Sequence, residues 1–202
     1  MPSKLRRQSL PSRPRLSAWL GALLLVFGLG LVNATVQADS YDERRVRTGA
    51  KFFRALLAAD LKLTEKAAGD GSVAVWVYAR RDQDIRAVLG AIAPGAAGAQ
   101  PTIRGVWVAA SAIEQLPRDD AAAPVGIFLA TPMSDADFAR LLQWSIDRHV
   151  IVYSPFEGDV ERGAAAGMVI EAKVLPYVNL TTLEKSGIEL GSFFLNVAKV
   201  TR

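Results

Sequence analysis

Three nearly continuous apolar runs, VAVWVYA (Val73 to Ala79), TIRGVWVAA (Thr102 to Ala110) and VGIFLA (Val125 to Ala130), are separated by segments with helical periodicity. A strand that is apolar at almost every position has both faces covered, which is the mark of a parallel sheet with helices packed on either side. Val150 to Tyr153 and Met168 to Val174 extend the series. The expected fold class is therefore α/β: a single three-layer sandwich with a mostly parallel central sheet of about five strands and helices on both faces.

The intervening segments carry the matching helix signals. Val46, Ala50, Phe53 and Leu57 recur at helical spacing between about Tyr41 and Leu63, with Phe52 and Leu56 widening the stripe. Asp82 to Ile92 is the next helix, broken by the Pro94 to Gly98 loop. Ser111 with Glu114, Ser134 with Asp137 and Thr181 with Glu184 stand at capping-box spacing, and Met133 and Phe138 occupy staple positions around the second of these. Gly187 is placed to end the helix that Thr181 opens. From Leu190 to Val200, the spacing of Phe193, Phe194, Val197 and Ala198 predicts a terminal docking helix.

Ahead of this domain, residues 1–38 read as a cleavable export signal, leaving residues 39–202 as a single α/β periplasmic domain. Lys4, Arg6, Arg7, Arg13 and Arg15 precede the apolar run Ala18 to Val32, and Val36-Gln37-Ala38 offers a processing site. The apolar run is shorter than the ~20 residues a membrane span needs, so no stable membrane insertion is expected after cleavage. The residues following Arg6-Arg7 fit a twin-arginine signal poorly, which favours the general secretory route. Those five cations account for the basicity of the whole: beyond residue 38, 19 basic residues face 20 acidic ones. A nucleic-acid partner, which needs a clustered basic surface, is not expected.

The chain has no cysteine and a single histidine, His149. Thiol catalysis, thiolate metal sites and a histidine-based metal centre are excluded, and a Ser-His-Asp triad would depend on that one imidazole without a G-x-S-x-G elbow to serve it. His149 falls between a helix and a strand, a position for a helix C-terminal residue more than a base. Phosphate-binding glycine loops are missing too: neither G-x-x-x-x-G-K-[ST] nor G-x-G-x-x-G follows any predicted strand. Nothing here calls for an enzyme, a cofactor or a metal.

Two candidate contact sites remain. The loop Ser154 to Gly167 (SPFEGDVERGAAAG) follows a strand, where open α/β sheets gather their ligands, and offers Ser154, Glu157, Asp159 and Arg162. Its carboxylates, Glu161 included, do not match an EF-hand, and a solvated turn is the plainer reading. Arg47, Lys51 and Arg54, at i, i+4 and i+7, form a basic edge on the first helix that suits an acidic partner or simply water. Trp76, Trp107 and Trp144 lie in apolar runs and read as core.

From Val150 to Lys199 the chain resembles the YfiR-like family of periplasmic signalling regulators. The matching pieces are VIVYS, then Gly167-Met168-Val169-Ile170, then Pro176-Tyr177-Val178-Asn179-Leu180, then SGIELGSFFLNVAK; RTGAKFFRALLAADL is similar to the family's opening helix. The resemblance covers about half of the chain beyond residue 38. It implies a non-enzymatic periplasmic regulator or adaptor that binds the external part of an inner-membrane signalling protein, a diguanylate cyclase or sensor kinase, and represses it. Two departures stand out: members often carry redox-regulated cysteines, absent here, and the SPFEGDVERG loop is longer and more charged than the usual turn. The alternative is a periplasmic small-ligand receptor using the 154–167 loop; an envelope hydrolase using His149 ranks last. A homodimer is left open.

Overall fold

The computed structural model describes residues 42–80, 82–92, 102–109, 116–117, 119 and 123–202. The export signal, the Pro94 to Gly98 loop and the Ser111 and Glu114 pair lie outside the described residues. In chain order the elements are α1 (42–59), a 3-10 turn (Leu63–Lys66), β1 (Ser72–Ala79), α2 (Asp82–Ile92), β2 (Thr102–Ala109), β3 (Gly126–Leu129), α3 (Asp135–Asp147), β4 (Ile151–Ser154), β5 (Ala166–Ile170), β6 (Val174–Asn179), α4 (Leu180–Lys185), α5 (Ser192–Val197) and β7 (Lys199–Thr201).

The sheet runs β2-β1-β3-β4-β5-β6-β7, and every neighbouring pair is parallel except β5 and β6. The expectation of an α/β fold with a mostly parallel sheet holds, but seven strands replace about five. The run Met168 to Val174 is not one strand: it holds the end of β5, a tight turn in which Glu171 N donates to Lys173 O (3.1 Å), and the start of β6. Pro176, which cannot donate to a ladder, argues against a strand there. It is accommodated because β7 pairs with β6 only from Tyr177 to Asn179.

Alternate residues of the strands feed two hydrophobic clusters, as a period of two requires. Val73, Val75, Val77, Phe128, Ile151 and Tyr153 join α1 and α2 in the larger one. Tyr78, Ile127, Leu129 and Val152 join α3 in the other. In the larger cluster the Phe53 ring stands 5.6 Å from both Phe128 and Tyr153, which stack on each other at 5.5 Å. At this centre of the core a Phe53→Ala change costs about 3–5 kcal/mol.

Helix ends follow the local chemistry with two corrections. Ser134 caps α3 by accepting from Asp137 N at 3.2 Å, as its spacing predicts. Thr181, expected to open the next helix, does not cap it: Asn179 does, its Oδ1 accepting from Thr182 N at 3.0 Å. The chain thus enters the helix directly from β6. The terminal helix is also shorter than Leu190 to Val200: α5 ends at Val197, and Ala198 turns extended (ψ 146°) so that the chain can add β7 beside β6.

Candidate functional site

Chain direction reverses the side to which connections leave between β1 and β3, since α2 belongs to the larger cluster and α3 to the smaller. In open parallel sheets, this switch point and the carboxyl ends of the adjoining strands are where ligands bind. The charged loop that follows β4 sits at the same end.

Ser154 ends β4 fully buried, and its Oγ donates to Asp159 Oδ2 at 2.6 Å while accepting from Phe156 N at 3.2 Å. Between them Gly158 turns at φ +83°, a backbone region that a side chain disfavours. The turn brings Asp159 inward, where it is buried and its Oδ1 receives Arg162 Nη1 at 2.7 Å. Arg162 then reaches out to Asp135 Oδ1 at 2.6 Å and lies 4.5 Å above the Phe138 ring, both on α3. Three of the four loop residues singled out from sequence therefore form one internal relay, and the relay ties the loop to α3.

The loop is also held from its other side. Asn179 Nδ2 donates to Val160 O (2.9 Å) and Asn179 N to Ala165 O (3.0 Å), while Thr182 Oγ1 donates to Gly163 O (3.0 Å). Glu157 alone points away, 90% exposed, with Arg45 Nη1 at 4.0 Å. Among the described residues no three or more His, Cys, Asp or Glu side chains gather to hold a metal, and the divergence of Asp159 from the exposed Glu157 and Glu161 is why the loop's acids do not converge.

Of the basic edge, Arg47 and Lys51 are exposed and Arg54 is half-buried. Arg47 pairs with Glu43 one turn earlier at 2.7 Å, an exposed pair of ~0.3–0.5 kcal/mol at most. The arginine that meets the loop is a different one. Arg45 Nε donates to Pro155 O at 2.6 Å, and its side chain is only 10% exposed. The sequence signal for it was a cation one turn ahead of Gly49, near the apolar stripe. Gly49 is needed there, because a β-carbon would stand 2.8 Å from Pro155 Cβ and 3.2 Å from Tyr153 Cε1.

That close approach encloses Tyr153, whose hydroxyl is buried without a hydrogen-bond partner. Burial pushes the phenol well above its ordinary value, and the neighbouring Arg45 charge only partly opposes this. His149 is engaged in structure. It adopts φ +58° just beyond α3, where its N–H donates to Ile146 O and Val150 N donates to Ser145 O, the paired bonds of a Schellman motif. Its Nδ1 lies 2.6 Å from Ser186 O.

No family model and no curated protein matches the chain. Among solved structures it is similar to the ABC domain in complex with L-Trp from Streptococcus pneumonia, at 13% identity and TM-score 0.53, covering 77% of this chain and 62% of that one. A conserved domain protein from Vibrio cholerae O1 biovar El Tor strain N16961 follows at 13% identity and TM-score 0.49, covering 64% of this chain and 54% of that one. The chain thus spans less than two thirds of either. At this identity the likeness is one of fold, an α/β domain.

Proposed function

We propose that this chain is a periplasmic, non-enzymatic regulator, a three-layer α/β sandwich that binds the external part of an inner-membrane signalling protein and represses a diguanylate cyclase. The observation that carries this reading is the outward basic row of α1, where Arg44, Arg47 and Lys51 are all exposed. Three exposed cations on one helix, even with Glu43 paired to Arg47, suit an acidic protein surface, steering the encounter and making it sensitive to salt. Support comes also from the leader-like residues 1–38, from the likeness of Val150 to Lys199 to the YfiR-like family, and from the internal engagement of Ser154, Asp159 and Arg162. The reading is tested in cells. Removal of the protein raises cyclic di-GMP, and the double reversal Arg47→Glu with Lys51→Glu reproduces that rise while the protein stays folded; an unchanged level in both strains refutes the assignment.

One observation favours a second reading, a small-ligand receptor. Thr131, two residues beyond the end of β3 near the switch point, buries its Oγ1 without a hydrogen-bond partner, and a solved structure of similar fold holds L-Trp. Thermal-shift screening of amino acids separates the two, since a ligand at 100 times its Kd adds about 2.7 kcal/mol of stability. A Thr131→Val variant that keeps an observed shift would remove the hydroxyl from the argument.

A further inference from the structure

We draw no further inference here: the strongest candidate, the exposed apolar side chains of α5 and β7 (Phe193, Val197 and Val200), carries nothing because nothing in the structure shows what covers them.

Discussion

The two ends of the sheet beyond β4 use their side chains in opposite ways. In the loop after β4, a serine, an aspartate, an arginine and an asparagine are drawn into one another and into the backbone, linking β4, α3 and β6. Around β7 and α5, side chains that by type belong in a core stand in water. Charge in the sequence therefore marks a structural knot here, and hydrophobicity in part marks an exposed face. The reason is the cost of burial: a buried polar group must find a partner inside the chain, whereas an exposed apolar one can find its partner outside.

Among polar contacts the knot should yield the largest effect. Asp159→Ala removes the acceptor shared by Ser154 and Arg162 and leaves the proton of a fully buried hydroxyl without an acceptor, so a loss of about 3 kcal/mol is expected in urea unfolding. The arginine is partly exposed, which keeps the loss below that of a wholly buried pair. Should the midpoint move by less than the error of extrapolation, the knot would be decoration rather than structure. Asn179→Ala follows at about 2 kcal/mol, since one side chain both caps α4 and holds Val160 O. Asn179→Asp separates these roles, because it keeps the acceptor for Thr182 N and loses the donor to Val160 O; it should recover roughly half of the loss.

What the sequence made legible divides along the same line. β1 could be read because VAVWVYA is covered on both faces, and α3 because Ser134 caps it within three residues. Both signals are local. The C-terminal third was misread where distant partners decide: the spacing of Phe193, Phe194, Val197 and Ala198 is helical, yet Ala198 becomes extended because β6 lies open beside it. Likewise, Ser154, Glu157, Asp159 and Arg162 identify a loop, but their directions depend on Asp135, 27 residues before Arg162, and on Asn179, 19 residues after Val160. Arg45 was missed for a related reason, as its partner Pro155 is 110 residues away.

Tyr153 tests whether the knot's neighbourhood is as closed as its contacts imply. Its hydroxyl is buried with no partner, so Tyr153→Phe should leave stability unchanged or raise it by up to about 1 kcal/mol. The pH dependence has a definite sign. The unfolded phenol ionises near its ordinary 10.0, while the folded one holds its proton to higher pH. Above pH 10 the unfolded state binds fewer protons, and this group lowers stability by up to ~1.4 kcal/mol per pH unit; below pH 10 it contributes no dependence. In the phenylalanine variant the alkaline fall should be shallower. An unaltered slope would mean that the hydroxyl reaches water.

The open end should give the smallest effect on stability. Phe193→Ser, measured under dilute conditions where no association occurs, should shift the unfolding free energy by no more than about 0.5 kcal/mol, because a side chain exposed at 84% contributes little to its own fold. Its neighbour on α5 supplies the contrast: Phe194 is buried in the larger cluster, and Phe194→Ser should cost about 3 kcal/mol or more through lost burial and a stranded hydroxyl. If the two substitutions were equally damaging, Phe193 would be holding α5 in place despite its exposure. A near-zero effect at 193 beside a large one at 194 leaves α5 anchored by one ring and free to present the other.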